Sequence, residues 1–214
     1  MFWCQTFTGR KVDIFHPSPE MVDIEDIAHA LSMTCRFGGH CRDFYSVAEH
    51  SVLVEQIGRC ISQSLTIIDP RISIHLLLHD AAEAYIGDII TPIKRGFEEA
   101  LCNKTRPREM ISKSPLAELE DRWLSAIGMA FGLGEDLLGK GTWSGIVKQA
   151  DSRALASEVI TLFHPVQSCW REVCEPLSSE EEVLFIKCWS PAEARRRFLD
   201  RFRILYAAFV KGAQ

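Results

Sequence analysis

Long apolar runs, internal repeats and low-complexity tracts are missing from this sequence. It contains no run of about 18 apolar residues, the length that a membrane-spanning helix needs. The first five residues reach a polar side chain at once, so no signal-peptide pattern is present. No segment alternates apolar and polar residues in the way that predicts a strand. These absences favour a globular domain built from helices, and we expect it to have no membrane partner.

A basic excess is missing as well. The net charge is −5 and the sequence pI is near 5.8. Such a balance disfavours proteins that wrap a nucleic-acid polymer or lie on an anionic membrane. A small anionic substrate remains compatible with it, provided that a metal ion and a few local Arg or Lys side chains supply positive charge.

The cysteine pattern does not predict stabilising disulfide bonds. The eight cysteines are scattered through 214 residues, a chain too long to need disulfides for stability. We therefore predict reduced thiols and a cytoplasmic location. Hydrophobic residues make up 47% and charged residues 25%, and this composition fits one globular domain with a sizeable core.

Helix boundaries are marked by caps and by apolar residues at helical spacing. Ser46, with Glu49 three residues later, forms a capping-box pattern. Residues 1–19 are predicted to be irregular, and residues 94–114 to form a loop or a short mobile helix. Helices are predicted over about residues 23–36, 46–64, 72–87, 114–132 and 145–163, and from residue 190 onwards.

The stretch from residue 74 to residue 88 is the most informative part of the chain. Its apolar run predicts a buried helix, and Gly87 is placed to end that helix. The same stretch carries His79, Asp80, Glu83 and Asp88. Burying these groups without partners would cost several kcal/mol each. A metal ion would remove that cost, so the stretch predicts a metal site.

Two further polar residues interrupt apolar helix faces and would complete such a site. His50 lies on the apolar face of the second predicted helix, and Asp151 on that of the fifth. Each also has an ordinary structural interpretation, because a buried histidine normally finds a partner and Asp151 can pair with Lys148 or Arg153. Together with the preceding histidine–aspartate pair, they form a nitrogen and oxygen ligand set that suits a divalent transition metal better than calcium.

The order of these four residues resembles the H…HD…D pattern of the HD-domain superfamily of metal-dependent phosphohydrolases. The flanking residues resemble those of bacterial HD-domain 5′-deoxynucleotidases and of related phage and bacterial HD-domain deoxynucleotide hydrolases. The matching segments are SVAEHS at 46–51, HDAAE at 79–83, TPIK at 91–94 and VKQAD at 147–151.

The resemblance covers about residues 23–163 and has consequences for the fold and the cofactor. It implies an all-α fold, a single HD-domain helical bundle over residues 1–214 with a C-terminal helical extension over 166–214. One divalent metal ion would lie between the helices, and Mn²⁺, Co²⁺, Fe²⁺, Ni²⁺ and Mg²⁺ all suit such ligands. The metal would be held by His50, His79, Asp80 and Asp151.

The resemblance also implies roles in catalysis and substrate binding. Glu83 would be the general acid or base, and Asp88 would position the water or contact the sugar. Arg36 and Phe37 stand where the nucleotidases carry an Arg-Trp pair that contacts the phosphate and the sugar or base. Because Phe37 replaces the tryptophan, the base and sugar preference stays open. Lys94 is a further candidate for a phosphate contact.

Together these residues predict a 5′-deoxynucleotidase-like enzyme that hydrolyses deoxynucleoside phosphates with a metal-activated water. A deoxynucleoside triphosphate triphosphohydrolase is one alternative, and a degenerate HD domain acting as a binding or regulatory module is another. The family implies a possible homodimer, although Phe198, Phe202 and Phe209 are equally suited to a core.

Cys35, His40 and Cys41 form a competing constellation. Their side chains include soft ligands that zinc prefers, but a fourth ligand is missing from the pattern. His40 can instead brace the turn in which it lies.

Overall fold

The computed structural model describes residues 2–67, 69–105, 114–134, 143–172 and 186–212. Within them the chain forms α-helices and one short hairpin, so the predicted all-α class is confirmed. Predictions that fall on the remaining residues, including part of the 94–114 segment and of the C-terminal extension, lie outside the described residues. The helices are α1 (Ile24–Met33), α2 (Val47–Ser64), α3 (Pro70–Leu78), α4 (Glu83–Ile86), α5 (Thr91–Thr105), α6 (Pro115–Ala130), α7 (Ser144–Leu162) and α8 (Pro191–Gly212).

The N-terminal hairpin was not predicted. Strand β1 (Trp3–Gln5) pairs antiparallel with β2 (Lys11–Asp13), where residues 1–19 were expected to be irregular. Each strand has only three residues and Val12 alone is buried, so no alternation could be recognised. Thr8 fixes the hairpin to α1, because its backbone N–H and its hydroxyl donate to the Asp26 carboxylate at 2.6 and 2.8 Å.

The helix start signals are confirmed where a side chain accepts a backbone N–H. Asp23 accepts from Glu25 at the start of α1, and Ser46 accepts from Glu49 at the start of α2. Ser114 likewise accepts from Ala117 at the start of α6.

The second half of the predicted capping box does not form. The Glu49 carboxylate turns away from Ser46 and accepts the backbone N–H groups of Lys187, Cys188 and Trp189, at 2.7, 3.0 and 2.6 Å. These three donors precede α8 and would otherwise need partners. Glu49 therefore ties the start of α2 to the segment that leads into the last helix.

The long helix predicted over residues 72–87 is divided. After α3 the backbone tightens through a turn, with N–H to C=O bonds from Ala81 to Leu78 and from Glu83 to Asp80, at 3.0 Å each. Helix α4 follows and ends at Gly87, as predicted, with a φ of +80° that only glycine adopts easily. The turn places the polar side chains of residues 79–83 at the end of a buried helix.

Of the two alternatives predicted for residues 94–114, a loop or a short mobile helix, a helix is found over residues 94–105, which belong to the 15-residue helix α5. Most of its first ten residues are exposed, including Ile93 and Phe97. Because the helix buries no apolar stripe there, it lacks the periodicity on which the prediction relied.

The core lies on both sides of α2 and α3. Helix α8 packs against α1, α2 and α3, and its buried residues Phe198, Phe202 and Leu205 join the larger apolar cluster. Helix α7 packs along the other side of α2. As a result, His50 on α2, the turn after α3, and Asp151 on α7 lie close together, with His50 buried and Asp151 about half exposed.

Candidate metal centre

Two histidines and two aspartates from three parts of the chain converge on one point. His50 Nε2 lies 3.3 Å from His79 Nε2, 3.4 Å from Asp80 Oδ2 and 3.3 Å from Asp151 Oδ1. His79 Nε2 lies 3.2 Å from Asp80 Oδ2. Ligand atoms of His50, His79 and Asp151 all lie within 4.8 Å of one another. These three residues can hold a metal ion, and Asp80 adds a carboxylate oxygen beside both imidazoles.

Hydrogen bonds on the far side of each imidazole fix which nitrogen faces this point. His50 Nδ1 lies 2.6 Å from Glu158 Oε1, and His79 Nδ1 lies 2.8 Å from the Leu76 carbonyl oxygen. A carboxylate and a carbonyl can only accept, so each Nδ1 carries a proton and donates it. The Nε2 atom of each imidazole therefore faces the centre, where it can bind a metal ion through its lone pair when it carries no proton.

The donor set fits a cation for an electrostatic reason. Around His50 Nε2, the Nε2 atom of His79 and one carboxylate oxygen each of Asp80 and Asp151 lie at 3.3–3.4 Å. Acceptors at that separation repel unless a positive charge lies among them. A divalent ion with nitrogen and oxygen ligands meets this requirement.

In the metal-free protein, a proton on His50 supplies that positive charge. Burial and Arg36 lower the pKa of His50, but Glu158, Asp151 and Asp80 raise it more, so its pKa lies well above the usual value. For Asp80, burial raises the pKa, yet His79 and His50 lower it more and bring it well below the usual range. A metal ion would have to displace the His50 proton, so its affinity should rise with pH.

Arg36 stands at the edge of the centre. Its side chain is mostly buried, and its Nη1 lies 3.7 Å from Asp80 Oδ2. Nε and Nη2 donate instead to Glu158 Oε2 at 3.3 and 3.1 Å. Burial lowers the pKa of Arg36, but Glu158 and Asp80 raise it above the ordinary value, so the guanidinium stays charged.

Glu158 was not predicted from the sequence. It is fully buried on α7, two helical turns after Asp151, and contacts both Arg36 and His50. Despite burial, these two cationic groups lower the pKa of Glu158 to about 2. Its spacing from Asp151 puts both carboxylates on one face of α7, and this is the sequence signal that could have identified it.

Glu83 lies beside the centre and is partly buried. Burial, with the charges of Asp80 and Asp88, raises its pKa to about 9. Its Oε2 atom is buried and has no hydrogen-bond partner within the described residues. Burial, then Asp80, also raises the pKa of Asp88, although Arg36 opposes the shift. A raised carboxyl pKa beside a cluster of ligands is typical of a group that transfers protons.

Lys94 and Phe37 are placed differently from each other. Lys94 donates to Glu120 Oε1 on α6 at 2.7 Å, so a substrate phosphate would compete with that carboxylate. Phe37 follows Arg36 with a left-handed φ of 58°. Its ring packs edge-on against Phe163, with the ring centroids 5.0 Å apart, and Trp170 lies next to both.

Comparisons with known proteins agree with this geometry. The profile of the HD domain family matches residues 39–123. An uncharacterized protein of Rhodobacter capsulatus is 32% identical over 207 residues, which cover 95% of this chain and 95% of that protein.

The chain belongs to the HD-domain family. The uncharacterized protein YfdR of Escherichia coli is also similar, with 38% identity over 95 residues that cover 44% of this chain and 48% of YfdR. HD domains are typically metal-dependent hydrolases, in agreement with the possible metal site. The matched HD segment includes His50, His79 and Asp80, whereas Arg36 and Asp151 lie outside it.

The alternative zinc site at Cys35, His40 and Cys41 is not supported. The two sulfur atoms lie 3.9 Å apart, but His40 is exposed. Among the described residues, no further ligand atom joins this pair in a group that could hold a metal. His40 closes the turn through its backbone N–H, which donates to the Phe37 carbonyl oxygen at 3.2 Å.

No helix within the described residues is long and apolar enough to span a membrane.

Proposed function

We propose that this HD-domain protein is a metal-dependent phosphohydrolase that acts on nucleotides, with 5′-deoxynucleotidase-like hydrolysis of deoxynucleoside phosphates as its activity. One observation carries the proposal. His50 Nε2 lies 3.3–3.4 Å from ligand atoms of His79, Asp80 and Asp151, and a guanidinium nitrogen of Arg36 lies 3.7 Å from Asp80 Oδ2. A cation site beside a buried arginine suits a phosphate ester.

His50, His79, Asp80 and Asp151 would hold one divalent ion. When bound, such an ion polarises a phosphoryl oxygen and lowers the pKa of a bound water. The sequence and structure favour none of Mn²⁺, Co²⁺, Fe²⁺, Ni²⁺ and Mg²⁺ over the others, because nitrogen and oxygen ligands accept each of them.

Arg36 is the proposed phosphate-binding group. Its Nη1 is the guanidinium nitrogen on the Asp80 side, because Nε and Nη2 already bind Glu158. Lys94 would add a second positive charge after releasing Glu120. Phe37, with Phe163 and Trp170 packed against it, offers an aromatic surface next to Arg36 on which a base or sugar can lie.

Glu83 and Asp88 are the proposed proton-transferring and positioning groups. With a pKa raised to about 9 in the metal-free protein, Glu83 holds a proton at neutral pH. It can donate that proton to a leaving oxygen, or accept one from the attacking water once a cation lowers its pKa. Asp88 would orient the water or contact the sugar.

Product analysis with a nucleotide panel tests the proposal. The panel contains monophosphates and triphosphates of deoxyribonucleosides and ribonucleosides, each with Mn²⁺, Co²⁺ or Mg²⁺ added. Phosphate release from deoxynucleoside monophosphates, lost in Asp80→Asn, is the expected result. Tripolyphosphate release would favour a triphosphohydrolase instead. If a metal-loaded protein turned over no nucleotide, the proposal would be wrong, and a binding or regulatory module would be favoured. The homodimer and the cytoplasmic location stay predictions.

A further inference from the structure

The Glu158 carboxylate forms hydrogen bonds with two residues of the candidate site, His50 and Arg36. One oxygen, Oε1, accepts from His50 Nδ1 at 2.6 Å, while the other, Oε2, accepts from Arg36 Nε and Nη2 at 3.3 and 3.1 Å. The glutamate is fully buried, so solvent cannot replace either partner. The proposed metal site and the proposed phosphate-binding group thus depend on one carboxylate.

The two contacts determine what each partner presents to the centre. Because Nδ1 of His50 donates to Glu158, the nitrogen left for a metal ion is Nε2. Because one edge of the Arg36 guanidinium binds Glu158, the nitrogen left on the Asp80 side is Nη1. A lysine ammonium has no planar fork with which to reproduce this arrangement.

We propose that Glu158 is a positioning residue that couples metal binding to phosphate binding, by orienting His50 and Arg36 together. The inference rests on the proposed function, because it assigns His50 to a metal ion and Arg36 to a phosphate. It goes further in predicting that one buried carboxylate controls both affinities.

Glutamine is the informative replacement because of its donor and acceptor pattern. A carboxylate accepts from both partners, whereas an amide has one accepting oxygen and one donating NH₂ group. In Glu158→Gln, the NH₂ group would face either the His50 N–H or the Arg36 N–H. At least one contact is then lost, and the charge that balances both cations disappears.

A matched control exists on α2. Glu55 is also a fully buried glutamate bound to an arginine, with Arg201 Nε and Nη2 at 2.8 and 2.6 Å from its oxygens. That pair joins α2 to α8. Glu55→Gln therefore repeats the loss of a buried charge without touching His50 or Arg36.

The experiment measures two affinities by equilibrium binding, so it needs no catalytic turnover. Free Mn²⁺ is followed by electron paramagnetic resonance, and inorganic phosphate is titrated calorimetrically into protein saturated with Mn²⁺. For Glu158→Gln we expect Mn²⁺ affinity to fall about 10- to 100-fold, the usual effect of losing the partner of a ligating histidine. Phosphate affinity should also fall at saturating Mn²⁺. Glu55→Gln should leave both affinities unchanged.

Arg36→Lys tests phosphate binding separately from metal binding. It should weaken phosphate binding and leave Mn²⁺ binding close to that of the wild type, because Glu158 still holds His50. Glu158→Asp is the second variant in case the glutamine variant does not fold. It keeps the buried charge but is one methylene shorter, so it cannot reach both partners, and it should lower at least one affinity.

Several results would overturn the inference. Wild-type Mn²⁺ affinity in both Glu158 variants would exclude a role in metal binding. Weakened Mn²⁺ binding with wild-type phosphate binding would exclude the coupling. A wild-type protein that binds no Mn²⁺ would overturn both this inference and the proposed function. A wild-type protein that binds Mn²⁺ and phosphate but hydrolyses no nucleotide would overturn only the proposed function.

Discussion

Among the described residues, two fully buried glutamates pair with arginines, and the two pairs differ in how completely their polar groups are satisfied. Glu55 and Arg201 form a closed pair, in which both carboxylate oxygens bind guanidinium nitrogens. Glu158 and Arg36 form an open pair. Glu158 gives one oxygen to His50, and Arg36 keeps Nη1 on the Asp80 side.

The difference shows why burial of charge alone does not identify a functional site. The closed pair joins α2 to α8, and both of its carboxylate oxygens bind the same guanidinium, so we assign it to the scaffold. The open pair lies next to several acceptors that need a cation. The candidate metal centre differs from the scaffold because its charged groups are not fully paired with one another, and not because they are buried.

The largest effect is expected at Asp80, on the open side of this comparison. Asp80→Asn should remove measurable phosphohydrolase activity and most Mn²⁺ affinity, because it takes a negative ligand from the centre. Activity is measured by product release, and Mn²⁺ binding by electron paramagnetic resonance.

Glu55→Gln is the control for Asp80→Asn, because it removes a buried negative charge elsewhere. It should keep full activity once the protein is folded. Full activity in Asp80→Asn, or equal losses in the two variants, would contradict the distinction between the centre and the scaffold.

Glu83→Gln should lower activity about 10²- to 10⁴-fold, the usual range for a general acid or base. The same change should stabilise the metal-free protein at neutral pH. The folded pKa of Glu83 is about 9 against an ordinary value of 4.5, so near pH 7 the folded chain must protonate a group that is ionised when unfolded. At about 1.4 kcal/mol per pKa unit, glutamine should add roughly 3 kcal/mol to the free energy of unfolding.

The pH dependence gives a separate check on Glu83. Since its folded pKa is raised, its contribution to stability is fully present below about pH 4.5 and is lost as pH rises towards 9. The gain in Glu83→Gln should therefore be near zero at pH 4.5 and grow with pH. Urea unfolding in the presence of a chelator measures this gain in the free energy of unfolding. A gain that does not vary with pH would contradict the raised pKa of Glu83.

The closed pair should show the next largest effect, on stability alone. Arg201→Met leaves the Glu55 charge buried without its partner, which should cost about 3–5 kcal/mol. Replacing both residues, as in Glu55→Leu with Arg201→Met, should recover most of the loss, because buried ion pairs are often replaceable by apolar residues. Urea unfolding checks both values.

At the open pair, the corresponding double replacement should not restore function. Glu158→Gln with Arg36→Met should bind Mn²⁺ and phosphate weakly even when it is folded. Wild-type binding in that double variant would remove the difference between the two pairs.

Local signals in the sequence predict more of this structure than long-range contacts do. The caps at Asp23, Ser46 and Ser114 are confirmed, because each is decided within four residues. Glu158 was missed, because its partners His50 and Arg36 lie 108 and 122 residues away in the chain. Its seven-residue spacing from Asp151 indicates a shared helix face, but that spacing does not identify these distant partners.

The same reasoning explains the other differences from the prediction. Glu49 satisfies the capping-box pattern, yet its carboxylate binds backbone donors 138 to 140 residues away. The first ten residues of helix α5 and the N-terminal hairpin bury little apolar surface, so periodicity could not indicate them. Of the candidate site, the convergence of His50, His79 and Asp151 matches the expectation, whereas the roles assigned to individual residues stay predictions.

The smallest effect is expected at Gly58, which lies two turns after His50 on α2. A methyl group there would overlap the side chain of Leu76 on α3, which is fully buried. Because α2 and α3 would have to move apart or repack, Gly58→Ala should lower the free energy of unfolding by about 1–3 kcal/mol. Gly145→Ala on α7 is the matched control. A methyl group meets no atom within 4 Å there, so that change should be neutral or stabilising by up to about 1 kcal/mol. If the hydrogen bonds of His50 and His79 alone fix the geometry of the centre, the Mn²⁺ affinity of Gly58→Ala should equal that of the wild type. A large loss of Mn²⁺ affinity would show instead that a change at Gly58 is transmitted along α2 to His50.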